Sequence, residues 1–385
     1  MMVNRGRIVG EFLRLVRIDS PSLHEREIAD YLLGRLAGMG LEVKEDTAGK
    51  AIGNTCAEQT GNLVATLKGN LPDTPTLLFC AHMDTVEPGR GVKPVIKDDV
   101  IFSDGTTVLG GDDKAGIAAI LEVVQILKEQ HIPHGNVEIV FTVAEEVGLK
   151  GTQNLDYGGL KAKIGYVLDC DGPPGTIITK APAQYKIKAS IIGKAAHAGI
   201  SPEEGVNAIF VASQAISRMK LGRVDEETTA NIGVISGGKA TNIIPDLVNI
   251  EGETRSINPD KLEAQTDLMI NVLEQTALEM GAQAKVEKEF LYPRLNLHET
   301  APAVNIAVEA ARSIGQTPLT VSTGGGSDAN ILNSYGIPTA NLGIGMSKVH
   351  SNEEFITVDN LVLNARYLIE IIKTAAGKKQ LTGDS

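Results

Sequence analysis

The spacing of apolar residues predicts alternating helices and strands in the first half of the chain. Apolar positions three or four residues apart indicate amphipathic helices, and short runs that are almost entirely apolar indicate strands buried on both faces. Ser22 and Glu25 are spaced as in a capping box for the second helix. The predicted helices are residues 7–17, 24–39 and 115–129, and the predicted strands are residues 41–43, 62–67, 76–81, 137–143 and 164–168.

The pattern changes near Lys180, where residues 184–193 alternate between apolar and polar as a half-exposed strand does. The elements predicted from there follow the order β-α-β-β-α-β, which is typical of a ferredoxin-like domain. After the first strand they are residues 202–219, 231–235, 247–255, 259–280 and 284–291. The chain then returns to helix, strand and helix at residues 303–313, 339–342 and 359–376.

These patterns predict an α/β fold of two domains. The larger domain, residues 1–180 and 292–385, would have a mixed sheet flanked by helices. The smaller, residues 181–291, would be an inserted ferredoxin-like α+β domain. A length of 385 residues suits two cores better than one.

Composition narrows the class of protein. A formal net charge of −12 argues against a nucleic-acid partner, which requires an excess of Lys and Arg. No stretch approaches the roughly 20 apolar residues of a membrane span, and the first residues do not resemble a secretory signal. Cys56, Cys80 and Cys170 are odd in number and widely spaced, which favours a reducing cytoplasm over a disulfide framework.

Five polar strings carry the candidate chemistry, and most of them follow a buried strand. Taken alone, each also fits an ordinary polar loop or, for the Asp pair, a helix N-cap. Together they supply imidazoles and carboxylates at the sheet edge where open α/β sheets place their sites. The strings contain His82 with Asp84, Asp112 with Asp113, Glu145 with Glu146, Asp169 with Asp171, and His350.

Such nitrogen and oxygen ligands suit zinc, with cobalt or manganese as possible substitutes. One zinc ion needs three protein ligands, so five ligands beside a spare Glu fit two ions about 3.5–4 Å apart that share a carboxylate. Asp113 and Asp171 remain rival ligands. For Asp113 we favour an ion pair with Lys114 on the helix.

The five strings, in this order and with the inserted domain before the last, resemble the dinuclear zinc metallopeptidase family of peptidase T, glutamate carboxypeptidase and aminoacylase. Gly110–Gly116 and Val167–Gly172 are most similar to peptidase T-like members. The resemblance implies a hydrolase that cleaves peptide bonds of small peptides. It also implies that the inserted domain is a lid that mediates a homodimer.

The resemblance further implies a role for each residue of the strings. Glu145 would be the general base that activates a water between two zinc ions, and Asp84 would orient His82. The implied zinc ligands are His82 and Asp169 for one ion, Glu146 and His350 for the other, and Asp112 as the bridge.

Four further residues are candidates for binding the substrate. The resemblance implies that His197 helps to polarise the scissile carbonyl, often from the partner subunit, whereas without the resemblance a satisfied surface His is the favoured interpretation. Asn242 would bond substrate backbone, and Arg255 would bind a substrate carboxylate unless it forms a surface ion pair. Gly325 lies in the glycine-rich loop 323–330, whose backbone we expect to approach the ligand.

Other functions remain open at this point. A deacylase or desuccinylase of N-acyl amino acids would use the same fold and metal centre. A non-catalytic relative would have lost a ligand or the base, and a structural zinc site would be rich in Cys. Because Glu145 and all five candidate ligands are present, a non-catalytic relative is disfavoured, and the resemblance favours a peptidase over a deacylase.

Overall fold

The structure is a computed structural model that describes residues 3–53 and 60–378, so the prediction for Cys56 lies outside the described residues. Short 3-10 turns occur at Tyr157–Gly159 and Pro202–Glu204. The helices are α1 Arg5–Val16, α2 Arg26–Gly38, α3 Ala48–Ala51, α4 Gly111–Glu129, α5 Lys150–Gln153, α6 Ala208–Ser217, α7 Pro259–Glu279, α8 Pro302–Ser313, α9 Asp328–Ser334 and α10 Val358–Gly377.

The strands differ widely in length, from two residues to ten. The strands are β1 Glu42–Glu45, β2 Leu63–Leu67, β3 Leu77–His82, β4 Val95–Lys97, β5 Val100–Phe102, β6 Val137–Thr142, β7 Ile164–Cys170, β8 Thr176–Ala181, β9 Ala183–Ile192, β10 Gly222–Arg223, β11 Thr228–Gly237, β12 Leu247–Ser256, β13 Gln283–Tyr292, β14 Leu295–Asn296, β15 Leu319–Ser322, β16 Thr339–Gly343, β17 Met346–Ser347 and β18 Phe355–Thr357.

The described chain divides into two compact units. The first contains residues up to 179 together with 297–322 and 327–378, and the second contains residues 180–296 and 323–326. In the first unit the main sheet has the order β1-β2-β6-β3-β7-β16-β8, with β15 beside β8. Strands β6, β3, β7 and β16 run parallel to one another, whereas the pairs β1-β2, β2-β6 and β16-β8 are antiparallel.

Burial in the main sheet explains its apolar pattern. Every residue of β3 and β6 is buried, because helices such as α4, α8 and α9 pack against the sheet. Strands covered on both faces lose the alternation of a half-exposed strand. The prediction of an α/β fold with a mixed sheet flanked by helices is confirmed.

A second, smaller sheet in the first unit has the order β17-β18-β5-β4. Its strands are two or three residues long, too short for a period-two pattern to be recognised, and the sequence analysis missed them. The loop between β17 and β18 carries His350.

The second unit has an antiparallel sheet of order β10-β11-β12-β9-β13, with α6 and α7 packed against it. Without the short β10, this is the strand order of a ferredoxin-like domain, as predicted. Its core contains Ile187, Ile250, Met269 and Leu273. The predicted helix at 202–219 begins only at Ala208, because Asn207 caps it by accepting the N–H of Phe210.

The predicted capping box of α2 is wrong. Helix α2 begins at Arg26 with Glu25 as its N-cap residue, and no side chain caps it. The Ser22 hydroxyl instead donates to Asp84, and the Glu25 carboxylate accepts the N–H groups of Leu23 and Ala144. Tertiary partners have therefore displaced the local pairing.

Among the described residues, no helix is both long and apolar enough to cross a membrane.

Candidate metal centre

The candidate ligands come together where parallel strands end. Strands β6, β3 and β7 are neighbours and run in the same direction, so their carboxyl ends lie at one edge of the sheet. His82 ends β3, Asp169 lies near the end of β7, and the Glu145–Glu146 pair follows β6. Asp112 reaches the same edge from the start of α4.

Asp112 lies between two histidines and faces each with a different oxygen. Its Oδ1 lies 2.9 Å from His82 Nε2, and its Oδ2 lies 3.2 Å from His350 Nε2. The same His350 nitrogen is 3.0 Å from Glu146 Oε1, and His82 Nε2 is 4.0 Å from Asp169 Oδ1. The five predicted ligands therefore form one continuous cluster with Asp112 at its centre.

Two overlapping groups in this cluster have ligand atoms within 4.8 Å of one another. One is His82, Asp112 and Glu146, and the other is His82, Glu145 and Asp169. A nitrogen and oxygen donor set of this kind suits zinc and similar divalent cations. Both groups contain His82, so they describe two overlapping candidate sites.

The electrostatics of the cluster also fit a cation. Burial, together with the charges of Asp112 and Glu145, raises the pKa of the Asp169 carboxyl well above its ordinary value. Burial likewise raises the pKa of Glu145 and of Glu146, although hydrogen bonding to His350 opposes the shift at Glu146. A bound divalent cation would offset this concentration of buried negative charge.

The pKa values of the two histidines are also raised, which favours their protonated, positively charged forms beside the carboxylates. Hydrogen bonds to Asp112 and Glu146 raise the pKa of His350 to about 10. Burial opposes protonation of His82, but the neighbouring carboxylates outweigh it and raise that pKa as well. Without a metal, the two histidines thus favour the protons that a metal would displace.

Asp84 contacts both the histidine and the Glu pair. Its backbone carbonyl lies 2.8 Å from His82 Nδ1, whereas its carboxylate Oδ1 is 3.6 Å from that nitrogen. The carboxylate accepts the N–H of Glu145 at 3.0 Å, the N–H of Glu146 at 3.2 Å and the Ser22 hydroxyl at 2.6 Å. Asp84 therefore also fixes the turn that presents the two glutamates, a role that residue spacing did not reveal.

Two further carboxylates hold the loops of the site, and the sequence analysis did not identify either role. Glu25 and Glu354 are each 1 % exposed, and burial raises the pKa of each to about 7. Glu25 bonds the N–H of Ala144, just before the Glu pair, and Glu354 bonds main-chain N–H groups around Asp112. In the sequence, the only clue to Glu354 is that it lies four residues after His350.

The predicted ion pair between Asp113 and Lys114 is wrong. Asp113 is buried and accepts the N–H groups of His82 and Gly116, while Lys114 Nζ donates to the Ile18 carbonyl at 2.8 Å. Burial lowers the pKa of Lys114 to about 8. The two side chains serve separate main-chain partners because they point into the interior and not along a solvated helix face.

Asp171, the rival candidate ligand, and the residues beside the glycine-rich loop have partners other than the five predicted ligands. Asp171 is exposed, with its Oδ1 3.4 Å from Cys170 Sγ. Ser327 caps α9, and the buried Asp328 accepts the hydroxyls of Thr142, at 2.6 Å, and Thr152. Ser327 and Asp328 thus have structural partners.

The substrate-binding candidates belong to the second unit. His197 and Asn242 are exposed and lie on neighbouring segments, where the N–H of Ala198 donates to the Asn242 carbonyl. Arg255 forms a two-pronged ion pair with Glu253, at 2.9 and 3.1 Å, which is the interaction that the sequence analysis left open. The N–H of Gly325 is 3.3 Å from the Thr323 hydroxyl.

Comparison with known proteins identifies the family. Residues 78–374 match the model of Peptidase family M20/M25/M40. A Bacillus subtilis (strain 168) protein named YqjE is 47% identical over 97% of this chain and 100% of its own length. Because the family model covers most of the chain, this protein belongs to peptidase family M20/M25/M40.

Two solved structures extend the likeness to the fold. An aminopeptidase PepT from Bacillus cereus ATCC 10987 is 46% identical with a TM-score of 0.87, and a tripeptidase from Staphylococcus aureus subsp. aureus Mu50 is 46% identical with a TM-score of 0.92. Each covers 98% of this chain and 100% of its own. The predicted relationship to peptidase T-like members, and with it the prediction of a peptidase, is confirmed.

Proposed function

We propose that this protein is a metal-dependent peptidase that hydrolyses small peptides at a two-zinc centre. The observation that carries the proposal is the position of Asp112, whose two carboxylate oxygens face His82 and His350 separately. A carboxylate placed in this way suits a bridge between two ions. Relatives named aminopeptidase and tripeptidase favour peptides over N-acyl amino acids as the substrate class.

In this proposal each ion has its own side of the cluster. His82 and Asp169 would hold one zinc ion, Glu146 and His350 the other, and Asp112 both, with cobalt or manganese as possible substitutes. When bound, such a pair acts as a Lewis acid on the scissile carbonyl and makes water acidic enough to attack near neutral pH.

Glu145 is the proposed general base. Its carboxylate would take a proton from the attacking water and deliver it to the nitrogen of the leaving amine. Asp84 keeps Glu145 in place by accepting its main-chain N–H.

The proposed substrate contacts come from the inserted domain and the glycine-rich loop. His197 would donate to the carbonyl oxygen as negative charge develops on it, and Asn242 would bond the peptide backbone. Arg255 would exchange Glu253 for the terminal carboxylate of a substrate. The backbone at Gly325 would lie against the ligand.

We also propose that the protein acts in the cytoplasm as a homodimer formed through the inserted domain. In the described sheet, β10 pairs only with Thr229 and Ala230 of β11. Beyond them Val234 and Ile235 are exposed, as is Phe210 on α6. An uncovered strand edge beside apolar side chains is typical of a surface that pairs with another chain.

The proposed cytoplasmic location is supported by the cysteines. Cys80 and Cys170 are free thiols, which suits a reducing compartment.

A substrate panel tests the proposed activity. Protein stripped of metal by a chelator and reloaded with zinc is assayed on di- and tripeptides, on the same peptides with either terminus blocked, and on N-acyl amino acids. We expect hydrolysis of free peptides that depends on zinc. Hydrolysis of N-acyl amino acids alone would favour the deacylase, and no hydrolysis of either class would contradict the proposal.

A further inference from the structure

We propose that Glu354 is a positioning residue that joins the turn carrying Asp112 to the loop carrying His350, and that one of the two metal sites depends on it. The proposal rests on the two-metal function proposed above. Glu354 itself is not a ligand, since its carboxylate is occupied by main-chain donors. It would act only through the groups it holds in place.

The hydrogen bonds of Glu354 converge on a single turn. Its Oε2 accepts the N–H groups of Leu109 and Gly110, each at 2.8 Å, and its Oε1 accepts the N–H of Asp112 at 3.0 Å. These are three of the four consecutive residues that lead into the bridging carboxylate. A buried carboxylate with three such donors fixes the path of the backbone.

The two glycines of the turn allow this close approach. Gly110 has φ of +73°, in the left-handed region that favours glycine. A Cβ on Gly111 would lie 2.9 Å from Glu354 Oε1, closer than a side chain tolerates. The turn is therefore shaped around the carboxylate.

Glu354 belongs to the same short loop as His350. The N–H of Glu354 donates to the Ser351 carbonyl, so the loop between β17 and β18 folds back on itself. One side chain thereby connects two segments that are more than 240 residues apart in sequence, at the point where Asp112 Oδ2 meets His350 at 3.2 Å.

The dependence of metal binding on Glu354 should be confined to the side of the cluster that contains His350 and Glu146. His82 and Asp169 lie on β3 and β7, which the main sheet holds in register. Asp112 and His350 lie on a turn and a loop, for which Glu354 is a direct connection. Loss of this connection should therefore weaken the ion at His350 and Glu146 more than the ion at His82 and Asp169.

Glu354→Gln tests this with almost no change of shape. A glutamine has one acceptor oxygen in place of two, so its amide group would face a main-chain donor on one side. Losing an outer partner of this kind typically weakens metal binding about 10- to 100-fold. Gly111→Ala provides a second variant, because its methyl group would displace the carboxylate without removing its charge.

Two variants serve as matched controls. Glu138 is also a buried carboxylate that accepts main-chain N–H groups, those of Lys161 and Ala162, so Glu138→Gln reports the general cost of such a change. Glu353 is the exposed neighbour of Glu354 and pairs with Lys348, so Glu353→Gln removes the same charge from the same loop.

The experiment is a calorimetric titration of zinc into each metal-free protein, with thermal unfolding recorded in parallel. We expect two sites in the wild type and both controls, and one site weakened about 10- to 100-fold in Glu354→Gln and Gly111→Ala. Wild-type affinities in Glu354→Gln or Gly111→Ala, or an equal loss in Glu138→Gln, would overturn the role of Glu354. A wild type that binds no zinc would instead overturn the proposed function on which this role depends.

Discussion

The metal cluster of the first unit and the substrate candidates of the second unit are built differently. In the cluster, Asp169 and Glu145 are withdrawn from water, and burial raises the pKa of each carboxyl, an arrangement of negative charge that costs free energy unless a cation offsets it. In the second unit, His197 and Asn242 are exposed, and Arg255 already has Glu253 as a partner. A candidate metal centre can thus be recognised from its own geometry, whereas the exposed substrate candidates of the second unit offer no comparable signal.

The largest effect should come from Glu145, the proposed base in the cluster. Glu145→Gln should lower kcat for a tripeptide about 10²- to 10⁴-fold, because an amide cannot accept the proton. The metal content should stay the same, since the proposed ligands are other residues. A variant that turns over at nearly the wild-type rate would remove Glu145 from this role.

A smaller effect is expected from the residue that holds the glutamate turn. Asp84→Asn should lower kcat about 10- to 100-fold, because it weakens the acceptor for the N–H groups of Glu145 and Glu146 and alters the surroundings of His82. The ratio kcat/KM is measured beside zinc affinity, with Glu138→Gln as the control for lost buried charge. Unchanged values of both would contradict the account of Asp84.

A substitution in the second unit should change KM, and only for substrates with a free terminal carboxylate. Arg255→Ala should raise KM about 10-fold for peptides with a free terminal carboxylate and much less for amidated peptides, because a charged partner is lost only in the first case. Arg218→Ala is a matched control, since Arg218 forms an exposed ion pair with Glu279 in the same unit. Equal effects on both substrates would remove Arg255 from recognition of the carboxylate.

The effect most remote from turnover concerns stability and pH. Burial raises the pKa of Glu25 from 4.5 to about 7, so its contribution to stability is present below pH 4.5 and is lost as the pH rises through 7. Because both N–H donors meet the same oxygen, Glu25→Gln can keep the bonds and remove the titration. In metal-free protein the variant should gain about 3 kcal/mol relative to wild type between pH 4 and pH 8 in denaturant unfolding. A parallel pH dependence of both proteins would contradict this.

Much of the fold and the ligand cluster could be predicted from the sequence, because both depend on local patterns. Apolar runs followed by His82 or Asp169 mark the ends of buried strands, and the adjacent Glu145 and Glu146 are unusual in such a place. Glu25 and Glu354 could not be identified, because each acts on backbone groups more than 100 residues away. Likewise, only the folded chain separates Asp112, which faces the histidines, from Asp113, which serves the main chain.

In the proposed function, hydrolysis depends on metal ions held by the cluster around Asp112. The most direct measurement titrates zinc into chelated wild-type protein while tripeptide hydrolysis is followed. We expect no hydrolysis without metal and a rate that reaches its plateau at two zinc ions per chain. Hydrolysis that survives complete removal of metal, or that reaches its plateau at a single ion, would contradict the two-metal centre.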